Sequence, residues 1–167
     1  MAVTTQYSTE YDQAYVDVPP TLLNTTELHG RVRVAYITHA QSGAGDATSS
    51  VALCKLPPGR VRLLLGSSFF YVNWTTASAT LDLGWDAYTA MDGTTTAADP
   101  NGLADGIDVD TVGLRSGEDL VTLAAIQATG GTKLFESKDG VVIRATSQDT
   151  AIADGDDLVG YLLYVVD

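Results

Sequence analysis

The 167-residue chain has one cysteine, two histidines and nine basic residues, and each shortage closes a line of interpretation. With Cys54 alone, no internal disulfide can form. Cys54 sits in an apolar run, which suits a small buried hydrophobe better than a reactive thiol. His29 and His39 flank one apolar segment. A zinc site needs several closely spaced nitrogen or sulfur ligands, and a catalytic histidine needs a positioned carboxylate and nucleophile. Two isolated histidines do not make the zinc pattern, and Asp and Ser are too common here for their presence to mark a catalytic partner. Nine Lys and Arg against 21 Asp and Glu give a net charge of −12. That balance argues against nucleic-acid partners and anionic membranes, both of which demand a basic surplus. No uninterrupted apolar run reaches the ~18 residues of a membrane helix. No basic stretch followed by an apolar one opens the chain, so no signal peptide is expected. The phosphate-binding loop, the dinucleotide glycine fingerprint and the hydrolase nucleophile elbow are all missing. The expectation is a protein that is not an enzyme, with no cofactor and no assigned metal.

What remains is β grammar. Seventeen of the acidic residues are Asp and four are Glu, and Thr occurs 21 times. Asp competes for backbone hydrogen bonds in turns, and Thr favours strands. A hydrophobic fraction of 45% supplies a core, and a chain of this length buries about 70% of its unfolded surface as one domain. Residues 1–29 stand apart as an N-terminal arm. They are polar and carry Tyr7, Tyr11 and Tyr15 at intervals of four, ahead of Pro19-Pro20. Two readings stay open: a frayed or peripheral strand, or an arm that docks on a neighbouring subunit through its tyrosines.

From residue 30 the pattern predicts a single domain over 30–167. Strands are expected at 31–38, 50–56, 60–65, 69–74 and 79–85, the third entered through the Pro57-Pro58-Gly59 turn. Residues 86–119 read as loop, with one short helix starting at Asp99-Pro100. Beyond Leu120 the chain reads as a meander. A strand over 120–128 is followed by a Gly130-Gly131 hairpin and a strand over 132–137. An Asp139-Gly140 turn then leads to a strand over 141–146. The last strand, 158–166, is apolar on both faces and is expected to be central and covered on both sides. Eight to nine strands without a long helix define an all-β fold: a jelly-roll-like antiparallel β-sandwich with an extended N-terminal arm.

Three constellations are candidates for function. Asp105, Asp108 and Asp110, and separately Asp154, Asp156 and Asp157, offer hard oxygen donors for calcium. Neither matches the twelve-residue calcium loop, and solvated acidic turns are the simpler account. Trp74 and Trp85 would suit stacking on a sugar, and paired aspartates would suit a glycosidase; core packing is the commoner use of tryptophan at strand ends. Arg31/Arg33 and Arg60/Arg62 each line one strand face. They suit either an interface with acidic partners or an ordinary solvated face.

Five segments in fixed order carry a resemblance. They are Gly30-Arg31-Val32-Arg33-Val34, a Gly-Ala-Gly-Asp loop, Leu56-Pro57-Pro58-Gly59-Arg60-Val61, Thr80-Leu81-Asp82-Leu83-Gly84, and Ala98-Asp99-Pro100 through Ile107-Asp108. Over roughly residues 28–113 the chain resembles the head decoration, or capsid cement, proteins of tailed bacteriophages. The resemblance implies a jelly-roll-like sandwich, often trimeric, on the outer surface of the phage head. There it would bridge major capsid proteins and brace the shell of the virion. Candidate contacts are then Tyr7, Tyr11, Tyr15, Arg31, Arg33, Arg60 and Arg62. Pro58 and the long 86–97 and 147–157 loops depart from the family pattern. The alternative reading is a carbohydrate- or receptor-binding module of a phage fibre or tail.

Overall fold

A computed structural model describes residues 18–19, 31–74 and 76–167. Tyr7, Tyr11, Tyr15, His29 and the boundary of the N-terminal arm lie outside the described residues. Twelve strands are found among those described, all paired antiparallel.

One sheet has six strands. At its centre is β12 (Asp157–Val166), bonded along one edge to β1 (Val32–Ala40). Its other edge is shared by β3 (Gly59–Leu64) and β4 (Phe69–Asn73), one after the other. β9 (Gly113–Ser116) lies beyond β4, and β10 (Thr132–Ser137) beyond β3. The second sheet runs β2 (Ser50–Leu56), β11 (Val141–Ser147), β5 (Thr80–Trp85), β8 (Asp99–Asp108). β6 (Tyr88–Thr89) and β7 (Thr95–Thr96) form a small separate ribbon. The single described α-helix, α1, spans Leu123–Thr129.

Alternation builds the core between the two large sheets. Val61 and Leu63 of β3, Leu158 and Leu162 of β12, Leu81, Leu83 and Trp85 of β5, and Val141, Ile143 and Ala145 of β11 are all buried. Burial of each large apolar side chain contributes roughly 1.5–3 kcal/mol. Phe135 is fully buried between Trp85 and Tyr88, edge-on to both, with ring centroids 5.4 and 6.0 Å away. The Trp85 indole N–H donates to the Ala97 carbonyl at 3.2 Å, and the Lys133 ammonium lies 4.6 Å from the ring centroid. Such caging fixes a large side chain at the sandwich edge.

Several expectations fail, each for a physical reason. Residues 120–128 are not a strand. Leu120 and Val121 are buried, and α1 follows. Thr122 caps it by accepting the Ala125 N–H at 3.2 Å, and Gly130, at φ 65°, ends it with its N–H on the Ile126 carbonyl at 2.8 Å. A Thr cap, three alanines and a terminal glycine are helix signals; the apolar run hid them. Gly130-Gly131 is therefore a helix terminus and not a hairpin. The meander fails too, because β10 and β11 sit in different sheets and the Asp139-Gly140 turn crosses the sandwich. Asp99-Pro100 opens β8 instead of a helix. β8 is an edge strand, where proline is tolerated, and its register against β5 shifts twice around Leu83. The stretch 86–119 thus holds four strands and is not a loop.

β3 and β4 would form one strand were it not for a 3₁₀ turn at Leu65–Ser67. The turn removes backbone partners opposite Leu163, and Ser68 replaces them. Its buried hydroxyl donates to the Leu64 carbonyl at 2.8 Å and accepts the Leu163 N–H at 3.0 Å. A buried N–H without a partner costs about 1–3 kcal/mol. Ser68→Ala is expected to lose about 2 kcal/mol of unfolding free energy in urea titration. Hydrogen exchange at Leu163 should accelerate more than at its neighbours in β12.

Candidate functional site

The two outer faces of the sandwich differ in chemistry. On the four-stranded sheet the outward positions include Ser50, Thr80, Asp82, Arg144 and Thr146. Arg144 holds the carboxylate of Asp86 with two nitrogens, Nε to Oδ1 at 2.6 Å and Nη2 to Oδ2 at 2.7 Å, and gives Nη1 to Ser50 Oγ at 3.1 Å. This fork depresses the Asp86 carboxyl below the ordinary range and raises the Arg144 guanidinium.

Asp82 on that face is buried, and burial raises its carboxyl above the ordinary value. The Gly106 N–H, donated to Oδ1 at 2.9 Å, opposes the shift, while the Asp105 and Asp149 carboxylates reinforce it. A carboxyl raised by folding contributes stability that is fully present below the unfolded pKa, about 3.9, and is lost as pH rises through the folded value. Asparagine would keep the Gly106 contact and shed the charge. Asp82→Asn is therefore expected to stabilise by on the order of 1 kcal/mol at pH 7. The gain should shrink toward pH 4 when the two proteins' denaturation midpoints are compared.

The six-stranded sheet presents the opposite chemistry. Residues paired directly across strands share a face, and the register sets out apolar rows. One runs Tyr36, Tyr161, Phe69; the Tyr161 and Phe69 rings meet at a 4.1 Å centroid distance. A second runs Val159, Tyr71, Leu114, and a third pairs Val34 with Leu163. Exposure is 51% at Val32, 58% at Val34, 69% at Tyr36, 47% at Tyr71 and 53% at Leu114. β12 is central as expected, but it is not fully covered on both sides among the described residues: Val159, Tyr161 and Leu163 are only half-buried. Exposed apolar side chains gathered on one sheet face are the chemistry that protein contact surfaces use.

β1 reverses a simple reading of its alternation. Ala35 and Ile37 pack on the core, so the arginine-bearing side of the strand is the inner one, and the valines with Tyr36 point outward. Arg31 and Arg33 are exposed at the strand's start, before the core is reached. Arg60 and Arg62 lie on the outer face and are engaged within the chain, Arg60 with Glu136 at 3.1 Å and Arg62 with Asp167 at 3.4 Å. The two arginine pairs therefore do not join into one stripe.

Other candidate groups are occupied locally. Asp110 accepts the Ser78 N–H at 3.2 Å, Asp108 the Asp110 N–H at 3.1 Å, Asp154 the Gly43 N–H at 2.7 Å and Asp156 the Ala153 N–H at 2.9 Å. No group of three or more metal-ligating side chains converges among the described residues. Trp74 and Trp85 are core residues, 4% and 7% exposed, and offer no stacking platform. His39 lies 3.2 Å from the Gln41 side-chain oxygen. Burial pushes the Cys54 thiol up to about 11, which keeps it protonated and inert. A groove of about 410 Å³ runs between β8 and α1, walled by Leu65, Leu103, Val121 and Ala125. Its Asp119 carboxylate is engaged in accepting the Ser116 N–H at 3.0 Å.

The outward apolar rows were not singled out by the candidate residues read from sequence. Their signal was present in Val32-x-Val34-x-Tyr36, in Phe69-Phe70-Tyr71 and in the two apolar faces of 158–166.

No family model matches the sequence, and no curated protein matches it. A solved structure shares its fold. A chain of the cyanophage Pam1 capsid asymmetric unit superposes with a TM-score of 0.51 at 16% identity, covering 83% of this chain and 86% of that one. A chain of infectious bursal disease virus, Gt strain, matches at a TM-score of 0.47 and 9% identity, over 83% of this chain and 33% of that one. A chain of the capsid of Helicobacter pylori bacteriophage KHP30 matches at 0.35 and 14% identity, over 81% and 94%.

Proposed function

We propose that this protein is a non-enzymatic structural component of a tailed-phage virion, placed on the outer surface of the head, where homo-oligomers bridge major capsid subunits and brace the shell. A trimer is the oligomer this reading favours. The observation that carries it is the outward apolar face of the six-stranded sheet, set against a polar opposite face. The fold shared with a chain from the Pam1 capsid asymmetric unit supports it over other uses of a sandwich. Within that face, the Tyr71–Leu114 pair on β4 and β9 is the part we assign to the capsid, because it is the exposed end furthest from β1.

The mechanism is burial of apolar sheet surface against capsid protein, repeated over a symmetric lattice. Modest single contacts then sum to a large avidity. The strongly negative remainder of the molecule, at net charge −12, keeps undocked oligomers apart from one another in solution. Nothing in this mechanism calls on a cofactor, nucleic acid or membrane. The test is to add purified protein to expanded, undecorated heads. Saturable binding with a raised rupture temperature is expected; heads that neither bind nor gain stability would refute the reading. The carbohydrate-binding alternative loses its carriers, since both tryptophans are in the core.

A further inference from the structure

We infer that the segment 1–17 of one copy adds as a strand to the free edge of β1 in a second copy, and that this exchange builds the homo-oligomer. β1 is nine residues long and bonds only to β12 among the described residues. Its other edge carries outward N–H and C=O groups over a length of roughly 30 Å. Natural edges of this length are blunted by proline, a bulge, inward charges or a covering element. Val32–Ala40 has no proline, its register with β12 is unbroken, and its only Lys or Arg, the inward Arg33, stands at its start and leaves Val34–Ala40 without that protection. The edge therefore calls for a covering strand.

Residues 20–30 lead directly into Arg31, so the segment outside the described residues is tethered to the start of β1. Its sequence fits the task. Tyr7, Tyr11 and Tyr15 recur at even spacing, so in an extended strand all three share one side, able to continue the row begun by Tyr36. Residues 1–17 contain Glu10, Asp12 and Asp17 with no Lys or Arg, while the exposed Arg31 stands just before β1 and the exposed Arg33 at its second position. That is charge complementarity with the correct sign.

The connection favours a second copy over the chain's own β1. Tight hairpins use two to five residues with Asn-Gly or Asp-Gly chemistry. Residues 18–30 instead supply a thirteen-residue connection that opens on Val18-Pro19-Pro20, without either dipeptide. Extended, it spans roughly 45 Å, enough to reach a neighbour, and exchange of an end segment is a low-cost route to closed oligomers.

The inference deepens the oligomer part of the capsid reading and rests on it there. Its test uses the purified protein alone, so failure to bind heads and failure to exchange strands are read separately. Two full-length variants leave the sandwich untouched: Tyr7→Ser/Tyr11→Ser/Tyr15→Ser, which removes the aromatic row, and Thr9→Pro, which breaks a strand. Light scattering and hydrogen exchange are measured on each across a dilution series. The expected result is an oligomer whose β1 amides exchange at least roughly tenfold more slowly than in the diluted monomer. Both variants should be monomeric with fast β1 exchange and unchanged protection in β12 and β4. A monomeric parent protein, whether β1 is protected or not, overturns the inference. So does an oligomer that persists in both variants, or one with unprotected β1 amides.

Discussion

Gly160→Val should lose about 4 kcal/mol or more of folding free energy, enough to leave much of the chain unfolded, since domains of this size hold only about 5–15 kcal/mol in reserve. Gly160 is the midpoint of β12, paired with Ile37 on one side and Phe70 on the other. A Cβ built there would overlap the Phe69 carbonyl oxygen and crowd the Phe70 Cα. Both obstacles are backbone, so no rotamer change relieves the clash; β4 would have to part from β12. The 3₁₀ turn at Leu65–Ser67 brings β4 in at this point, and Ser68 bonds Leu163 three residues further along β12. One substitution would therefore disturb both halves of the divided ladder. Gly66→Ala is the control. Gly66 lies in the same turn, where an added methyl meets only Val121 at 4.0 Å, and its effect should stay within about 0.5 kcal/mol. Paired urea titrations check both, and a Gly160→Val protein as stable as its parent would show that the two strands are not packed this closely.

The second large effect concerns function with stability held constant. Tyr71→Glu/Leu114→Glu places two carboxylates side by side on the exposed end of the apolar face, where the parent side chains are 47% and 53% exposed. Neither belongs to the core, so the folding free energy should move by less than about 1 kcal/mol. Burying two unpaired charges against a capsid surface costs far more, and affinity for undecorated heads should fall at least about a hundredfold, or roughly 3 kcal/mol. The gain in rupture temperature should vanish with it. Because Tyr71 and Leu114 lie on the far side of β12 from β1, away from its open edge, the oligomer should survive. Normal head binding by this variant would exclude the β4–β9 end as the capsid contact.

These two experiments touch different kinds of information. Gly160 is an unremarkable glycine in an apolar run when seen in sequence; only the turn between β3 and β4 makes its missing side chain necessary. Tyr71 and Leu114 are ordinary strand residues until register sets them side by side. Their nature as apolar residues was visible, but their exposure was not. A tyrosine in a strand reads as core or surface according to what faces it, and that is a long-range fact. The helical stretch Thr122–Gly130 is a different case. Its cap and its terminal glycine were legible, and the apolar run Leu120–Val121 drew attention from them.

Composition and local chemistry by themselves determined a sheet protein with acidic turns, one compact apolar core, and strand positions for most of 31–85, 132–146 and 158–166. They did so because alternation, turn residues and the scarcity of Glu act over a few neighbouring residues. The tertiary structure decided everything that depends on distant partners. It joined β1 to β12, more than a hundred residues away, and divided β10 from β11 across the sandwich. It also turned the valine side of β1 outward and its arginine side toward the core. A period of two declares that a strand has two faces. Which face meets the core is fixed only by the sheet packed against it.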